Sequence, residues 1–348
     1  MLASIDLVGT HTPTLRQSRL PETDNPSTHL FGWNAVITAE TGITAIVDFA
    51  VIEDAIARPH VSPTAFVDRL FLGHPSKFRA CLNIGELATI SFIPPVVDGM
   101  TRGTMSRDCG PGSLLIDYAM RYCTSNSHGE DHDGVYAAPG KVNQDMVDRF
   151  LWTHDYLRTS PPLIIAREMF GDHEAQRLID ECLFLSMSEA DTIATITRVT
   201  AQNILKQYHR LLAHFFPPGQ KVDELFICGP SARNSNIIDY LEAHLPESII
   251  TKPLDDIGIP GDANEAVSFA HLALEAVLGQ ATRPSTNSSP MSAQTRKDAV
   301  RGKILRGARW EMLLQQLQQF SNGKQLHVTK DLRFTGNLES PKEGLSIR

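Results

Sequence analysis

The residues that could do chemistry are concentrated in one segment, residues 107–117, with the sequence Arg-Asp-Cys-Gly-Pro-Gly-Ser-Leu-Leu-Ile-Asp. Gly110 and Gly112 flank a proline, a pattern typical of a tight turn whose backbone N–H groups can approach an anion. Asp108 stands at the entrance of this turn, where its carboxylate could act as a general base. Taken alone, such a motif is more often an ordinary structural turn.

Further polar motifs allow both a functional and a structural interpretation. Residues 128–133 contain His, Glu and Asp, which could ligate a metal, but such a polar segment is more often a solvated loop. Asp255 and Asp256 could bind Mg²⁺, although capping of a helix start is the more frequent role. The apolar stripe from Trp310 to Phe320 favours a docking helix over a membrane anchor, because glutamines and few cations flank it.

Composition limits the classes of function. The 348 residues are 42% hydrophobic and 21% charged, which predicts a globular chain of about two domains. No apolar run reaches about 18 residues, and Asp6 comes too early for a secretory signal, so we expect a cytoplasmic protein without membrane contact. The five cysteines form no Cys-x-x-Cys pair, which favours reduced thiols and indicates no zinc site.

The charge is distributed unevenly along the chain. The net charge is −8, which argues against general binding of nucleic acid. Residues 296–348 carry 11 Lys and Arg against 5 Asp and Glu, a net +6, which leaves −14 for residues 1–295. Residues 280–296 are rich in Ser, Thr, Pro, Asn and Gln and predict a linker before this basic tail.

Hydrophobic patterning predicts the elements that must position the candidate residues. Short apolar runs at 43–49, 80–84 and 87–92 predict buried strands, and Gly85-Glu86 between the last two predicts a hairpin. Residues 142–215 have helical spacing, with Ser188 and Asp191 available as start signals.

A second run of elements follows the helical region. Residues 224–228 predict a strand that enters a turn at Gly229, and 236–245 predict the helix that follows. Strand, glycine turn and helix in this order form an edge that can receive a nucleotide. Residues 249–250 predict a short strand, and a further helix is predicted from Asp262.

Several segments, in the same order along the chain, resemble the anhydro-N-acetylmuramic acid kinase family, sugar kinases of the actin-like ATPase superfamily. Residues 108–113 are similar to the family's Asp-Thr-Gly-Pro-Gly-Asn, and residues 83–89 are similar to its phosphate hairpin Asn-Ile-Gly-Gly-Ile-Ala-Asn. The resemblance extends over about residues 5–283. Other ordered matches lie at 6–14, 41–49, 133–134, 140–142, 161–162, 167–168, 228–234 and 258–266.

The resemblance implies an α/β fold of the actin-like ATPase, or ribonuclease H-like, type with two lobes and mixed sheets. It also implies ATP and Mg²⁺ between the lobes, and an amino sugar that is hydrolysed at its 1,6-anhydro bond and phosphorylated at its 6-oxygen. The implied site residues are Asp108 as the base, Gly85, Gly110, Gly112, Gly229 and Asn234 around the nucleotide and phosphate, and His11 and Arg167 at the sugar. No residue is predicted to ligate a metal, and the sequence leaves a homodimer open.

The resemblance also sets the expected domains. We expect residues 1–77 to be the remnant of the first lobe, 78–283 to be the second lobe, and 284–348 to be the linker and a basic helical tail. The family's first phosphate loop, Gly-Thr-Ser, has no match here, so we expect the first lobe to be incomplete.

The chain departs from the family pattern where ligands would bind. Glu86 replaces the second glycine of the phosphate hairpin, Thr89 replaces its final Asn, and Pro230 interrupts the adenosine-side glycines. The sugar-side segments at 56–60 and 163–166 also differ.

Two hypotheses therefore remain open. The first is an ATP-dependent anhydrosugar kinase, and the second is a catalytically inactive remnant, a pseudokinase that binds a ligand or a partner. The changed loops lead us to expect little nucleotide affinity and no turnover, because the residues of such a site act as a set.

Overall fold

The computed structural model describes residues 5–10, 34–49, 64–97, 100–101, 104–154, 170–279 and 300–322. These residues belong to two compact units. The smaller unit comprises Met1–Val67, Glu265–Pro284 and Ser288–Lys330, and the larger unit is formed by Asp68–Asn264. Among the described residues, no helix is long and apolar enough to span a membrane.

The described chain alternates strands and helices. The strands are β1 Leu7–Gly9, β2 Thr44–Val47, β3 Arg79–Ile84, β4 Leu87–Ile93, β5 Val96–Val97, β6 Met100–Thr101, β7 Met105–Pro111, β8 Glu224–Cys228, β9 Ile250–Pro253 and β10 Lys303–Leu305. The α-helices are α1 Asn34–Thr41, α2 Thr64–Leu72, α3 Leu114–Cys123, α4 Gln144–Thr153, α5 Asp172–Phe184, α6 Glu189–Phe215, α7 Ser235–His244, α8 Asn264–Leu278 and α9 Trp310–Ser321. Short 3₁₀ turns lie at His132–Gly134, Leu254–Ile257 and Gly261–Ala263.

The larger unit is built on a five-stranded mixed sheet with the order β7-β4-β3-β8-β9. Strands β3, β4 and β7 are antiparallel neighbours, whereas β8 runs parallel to β3 and to β9. The predicted hairpin is confirmed, because β3 and β4 pair across the Gly85-Glu86 turn with Ile84 opposite Ala88. The strand predicted at 224–228 and the helix that follows it are also confirmed.

Alternation along the strands gives this sheet two different faces. Leu82, Ile90 and Met105 point into one hydrophobic core, which helices α3 to α6 cover. Cys81, Ser91 and Ser106 lie on the opposite face, where the Ser91 hydroxyl donates to the Ser106 hydroxyl at 3.2 Å. The sheet therefore has an apolar helical side and a polar side.

Three helices lie among the described residues of the region predicted to be helical, 142–215. The longest is α6, which begins where the sequence predicts, because the Ser188 hydroxyl accepts a hydrogen bond from the Asp191 N–H at 3.1 Å. Its buried face includes Ile193, Ile196 and Ile204. Helix α6 packs against α3, α4, α7 and strand β7, and so connects most of the larger unit.

The smaller unit contains a three-stranded mixed sheet with the order β1-β2-β10. Strand β1 is parallel to β2, and β10 is antiparallel to it. A Cβ atom at Gly9 would collide with the backbone of Phe269, so β1 lies directly against α8. The two mixed sheets with their helices confirm the predicted α/β fold class.

The compact units differ from the expected domain boundaries. Helix α8, expected in the second lobe, belongs to the smaller unit from Glu265 onward. Strand β10 lies within the expected tail, yet it pairs with β2, and Lys303 Nζ lies 3.0 Å from an Asp48 carboxylate oxygen. Helix α9 buries Leu313 but leaves Phe320 79% exposed, so it contacts its unit on only part of the predicted stripe. The functional domain boundaries stay a prediction.

The cysteines are free, as the odd number and spacing predicted. The Cys81 and Cys228 sulfurs lie 3.8 Å apart beside the buried Asp68. Burial raises the pKa of Asp68 to about 7, although hydrogen bonds from Ser91, Asn264 and Cys81 act against this shift. These groups make a buried polar cluster on the polar side of the sheet.

Glu224 forms a buried ionic centre at the start of β8. Its carboxylate lies 2.7 Å from Lys77 Nζ, 2.8 Å from Arg79 Nε and 2.8 Å from Lys252 Nζ, and its side chain is 2% exposed. Burial alone would raise the pKa of Glu224, but hydrogen bonds from Lys252, Lys77 and Arg79 outweigh burial and lower it to about 2. The glutamate therefore ties strands β3, β8 and β9 together as a carboxylate.

We predict that Glu224→Gln removes a pH-dependent part of the stability. Because the folded pKa is below the ordinary value of 4.5, the wild-type contribution is present above pH 4.5 and is lost as the pH falls towards about 2. At neutral pH the loss is up to about 3 kcal/mol of unfolding free energy, and it shrinks in acid. Urea unfolding across this pH range measures it, with the exposed Glu247→Gln as control; a pH-independent difference would contradict the prediction.

Candidate functional site

Asp108 lies near the end of β7, on the polar side of the sheet. It stands opposite Thr89 of β4, and the Thr89 hydroxyl donates to Asp108 Oδ1 at 3.1 Å. Asp108 is half-buried, whereas Thr89 is buried. The residue that replaces the family's Asn therefore orients the candidate base.

A β-bulge follows Asp108 directly. The register of β4 and β7 shifts between Thr89, which faces Asp108, and Ala88, which faces Gly110, so Cys109 is the extra residue. A bulge leaves its extra residue outside the ladder and bends the strand. Gly110 has a φ of 120°, which an L side chain rarely adopts. These two features bend β7 after Asp108, and the strand continues to Pro111.

The two glycine turns predicted to meet at phosphate are in direct backbone contact. The Gly112 N–H donates to the Glu86 carbonyl at 2.9 Å, and the Ser113 N–H donates to the Gly85 carbonyl at 2.8 Å. A Cβ atom on Gly112 would collide with the Gly85 carbonyl. The structure therefore brings Gly85, Gly110 and Gly112 together, but the amides of Gly112 and Ser113 are bound to protein carbonyls.

The Gly229 turn joins the same region from the end of β8. Gly229 has a φ of 96°, and a Cβ atom there would collide with Asn83 and with the carbonyl of Ile84. The Gly229 N–H donates to the Gly261 carbonyl at 2.9 Å, and the Ser231 N–H donates to the Ile84 carbonyl at 3.1 Å. The turn thus packs against the end of β3, one residue before the Gly85 turn.

Asn234 precedes α7 and is 3% exposed. The turn at 131–137 is fixed against this helix start: Asn236 Nδ2 donates to the Gly134 carbonyl at 2.7 Å, and the Ser235 hydroxyl donates to the Asp133 carbonyl at 3.2 Å. A side chain at Gly134 would collide with Asn234 and Asn236. The glycine is therefore required for this close approach.

A small cleft lies between the start of α3, the turn at 130–133 and the start of α7. It is bounded by Ser113, Ile116, Asp117, Glu130, Asp131, His132, Asp133, Pro230, Ser231 and Asn234. Four of these residues carry carboxylates, and none is Lys or Arg. The cleft unites the end of the Asp108 segment with the Gly229–Asn234 loop, although Asp108 itself is not among its lining residues.

Asp117 is a cleft residue that the sequence analysis did not select. The Ser113 hydroxyl donates to Asp117 Oδ2 at 2.7 Å. Burial raises the pKa of Asp117, the Ser113 hydroxyl and the charge of Arg121 oppose this shift, and the charges of Glu130 and Glu86 add to it. Glu86 is therefore electrostatically coupled to the cleft, as its place in the phosphate hairpin suggested.

Asp131 organises the segment that contained the candidate metal ligands. It is 7% exposed and accepts hydrogen bonds from the backbone N–H groups of Tyr136 at 2.8 Å and Ala137 at 3.2 Å. His132, in contrast, has an 80% exposed side chain. Among the described residues, no group of three or more His, Cys, Asp or Glu is placed to hold a metal ion.

Two polar residues of α6 hold the Asp108 segment from the core side. Thr200 Oγ1 donates to the Gly112 carbonyl at 2.8 Å, and Asn203 Nδ2 donates to the Cys109 carbonyl at 2.7 Å. The sequence analysis missed them, although a signal was present: polar residues at 192, 195, 200, 203 and 207 recur at helical spacing on the buried face.

The remaining predicted residues are placed as follows. The sugar-side candidates His11 and Arg167 lie outside the described residues. Asp255 accepts a hydrogen bond from the Gly261 N–H at 3.3 Å, which holds the turn beside Gly229.

Comparison with known proteins places the chain in a class of sugar kinase. The family model described as anhydro-N-acetylmuramic acid kinase matches residues 1–305. The chain belongs to this family, which confirms the resemblance found in the sequence.

Individual relatives agree with this assignment. The chain is 31% identical over 270 residues to the anhydro-N-acetylmuramic acid kinase of Acaryochloris marina, covering 77% of this chain and 69% of that protein. It is 29% identical over 307 residues to the kinase of the same name from Caldanaerobacter subterraneus subsp. tengcongensis, covering 86% of this chain and 74% of that protein.

Similarity to solved structures is weaker. Component A of the (R)-2-hydroxyglutaryl-CoA dehydratase of Acidaminococcus fermentans has a TM-score of 0.37 at 16% identity, covering 65% of this chain and 73% of that one. Xylulose kinase from Lactobacillus acidophilus has a TM-score of 0.34 at 10% identity, covering 75% and 49%.

We predict that Gly112→Ala destabilises the protein by about 2 kcal/mol or more, because the new methyl group must displace the Gly85 carbonyl. Gly129→Ala is the matched control, since a Cβ atom there meets nothing within 4 Å. Urea unfolding of both variants measures the difference in free energy. Equal unfolding free energies of the two variants would contradict this prediction, because they would show that the Gly85 turn can move away from Gly112 without loss of stability.

Proposed function

We propose that the protein is an anhydro-N-acetylmuramic acid kinase that hydrolyses the 1,6-anhydro bond of an amino sugar and phosphorylates its 6-oxygen with ATP. The observation that carries this proposal is the assembled Asp108 segment. Its carboxylate is oriented by Thr89, and its turn is fixed against the Gly85 turn, whose sequence resembles the family's phosphate hairpin. Family membership supports the reaction class.

Asp108 is proposed to remove a proton from the water that attacks the anomeric carbon. General-base assistance of this kind contributes roughly 10²- to 10⁴-fold to the rate. Half-burial suits this role, since the carboxylate keeps solvent access while the Thr89 hydroxyl fixes one of its oxygens. The bulge at Cys109 bends β7 directly after the base, while Gly110 and Pro111 stay paired with Ala88 and Leu87 of β4.

We propose that polar groups lining the cleft contact the nucleoside part of ATP. Asn234, Ser113 and Ser231 offer amide and hydroxyl groups, and the carboxylates of Asp117 and Asp131 can accept hydrogen bonds from ribose hydroxyls. We propose that the Gly229–Asn234 loop forms one wall of this nucleoside site. ATP, when bound with Mg²⁺, supplies the phosphoryl group that the 6-oxygen receives.

The described residues fit the phosphate groups of ATP less well than they fit its nucleoside part. The amides of Gly112 and Ser113 donate to carbonyls within the protein, and the cleft lining offers carboxylates without Lys or Arg. The carboxylates of this lining repel phosphate. The negative charge of the phosphates must therefore be balanced by a bound cation or by groups beyond this cleft.

The acidic lining favours a second candidate, the remnant without turnover that the changed loops led us to expect. Glu86 stands where the family has glycine, and its charge reaches Asp117 in the cleft. A carboxylate at this point weakens phosphate binding, and loss of one member of a catalytic set can remove most of its activity. The two candidates differ in turnover and in affinity for Mg²⁺-ATP.

We predict that Asp108→Asn lowers turnover of 1,6-anhydro-N-acetylmuramic acid by about 10²-fold or more, because the amide cannot accept the proton from water. ADP release and the mass of the sugar phosphate are the measurements. The exposed Asp145→Asn should retain activity, and equal melting temperatures of both variants would show an intact fold. Wild-type protein that neither binds Mg²⁺-ATP nor turns over the sugar would instead establish the remnant.

We predict that the negative charge of Glu86 weakens nucleotide binding. Glu86→Gly should tighten Mg²⁺-ATP binding by roughly three- to tenfold at low ionic strength, and by less at high salt, because removal of an exposed carboxylate reduces screened repulsion. Glu86→Gln removes the charge without adding backbone freedom, so it should give most of the increase in affinity for Mg²⁺-ATP. Calorimetric titration at two salt concentrations is the test; unchanged affinity in both variants would exclude electrostatic repulsion by Glu86.

A further inference from the structure

Helix α6 holds two carbonyls of the segment that follows Asp108. Thr200 Oγ1 donates to the Gly112 carbonyl at 2.8 Å, and Asn203 Nδ2 donates to the Cys109 carbonyl at 2.7 Å. Thr200 and Asn203 are both fully buried. They are three residues apart, so they lie on one face of the helix and reach the two sides of the turn together.

The Asn203 hydrogen bond meets a specific need of the bulge. Cys109 is the extra residue of β7, and the carbonyl of such a residue has no regular ladder partner. A buried carbonyl without a donor is costly, so the Asn203 amide stabilises the bulged conformation. Gln207 Nε2 donates to Asn203 Oδ1 at 3.2 Å, which fixes the orientation of that amide.

The segment is thereby held from both sides. Its N–H groups at Gly112 and Ser113 donate to the Glu86 and Gly85 carbonyls, whereas its carbonyls at Cys109 and Gly112 accept from α6. Cys109 follows Asp108 directly in the chain, and Gly112 lies four residues after Asp108. A shift of the Cys109 carbonyl therefore acts on the Asp108 backbone through one residue, and a shift of the Gly112 carbonyl acts on it through the turn.

We propose that Thr200 and Asn203 are positioning residues that set the location of the Asp108 carboxylate for the reaction. The inference rests on the proposed role of Asp108 as the base. Neither side chain touches the substrate, since both act through the backbone of the bulge and turn. Displacement of a catalytic group by about 1 Å can cost up to about 10²-fold in rate, so loss of either hydrogen bond acts on kcat.

Helix α6 offers a matched control. Thr197 is 1% exposed, and its hydroxyl has no hydrogen-bond partner among the described residues. Thr200→Val and Thr197→Val make the same isosteric change on the same helix, but only Thr200→Val removes a hydrogen bond to the turn. Thr200→Ser keeps the hydroxyl donor and serves as the conservative rescue.

The test compares steady-state kinetics of these full-length variants with 1,6-anhydro-N-acetylmuramic acid and Mg²⁺-ATP. Thr200→Val should lower kcat by roughly 10- to 100-fold while KM for both substrates changes by less than about threefold. Thr200→Ser and Thr197→Val should each retain kcat within about threefold. An unchanged kcat in Thr200→Val, or an equal loss in Thr197→Val, would overturn the proposal.

A second measurement separates this inference from the proposed function. The ¹³C resonance of the Asp108 carboxyl carbon, assigned by its loss in Asp108→Asn, reports the environment of the group whether or not the protein turns over sugar. If wild type is inactive, the proposed function fails. The positioning role then stands if Thr200→Val shifts this resonance and Thr197→Val does not, and it fails if the resonance is the same in Thr200→Val and wild type.

Discussion

The backbone contact between the Gly85-Glu86 turn and residues Gly112–Leu114 is the constraint on which the candidate site depends. Three N–H groups of the second segment donate to two carbonyls of the first. Two backbones can approach this closely only where a Cβ atom is absent, and Gly112 provides that position. The β3-β4 hairpin, the end of β7 and the start of α3 are therefore fixed relative to one another before any ligand binds.

The two faces of the central sheet differ: one packs against the helices, and the other carries the candidate base Asp108. The apolar face contacts the helices through residues such as Leu82 and Ile90, and this core supplies the stability. The polar face carries Asp108 with its partner Thr89. At the bulge, strand β7 contributes to both faces. The Cys109 side chain enters the core, whereas the Cys109 carbonyl accepts a hydrogen bond from Asn203 of α6.

The sequence predicted the local elements of this site well. Local signals in the sequence predicted three features: the β3-β4 hairpin, the start of α6 at Ser188 and the turn at Gly229. Each of them depends on residues adjacent in the chain. The pairing of β10 with β2 was not foreseen, because strand partners so distant in sequence leave no local pattern. The roles of Thr200 and Asn203 were also missed, since a buried threonine or asparagine shows its partner only in three dimensions.

The charge of the cleft limits how a nucleotide can be held. Asp117, Glu130, Asp131 and Asp133 surround it, and burial together with the charges of Glu130 and Glu86 raises the pKa of Asp117. Such a lining suits hydroxyl donors and disfavours phosphate oxygens, so a nucleotide bound here would direct its ribose towards the carboxylates and its phosphates away from them. In the proposed function, the acidic lining would therefore select the orientation of the nucleotide, and Glu86 would set how close the first phosphate can come.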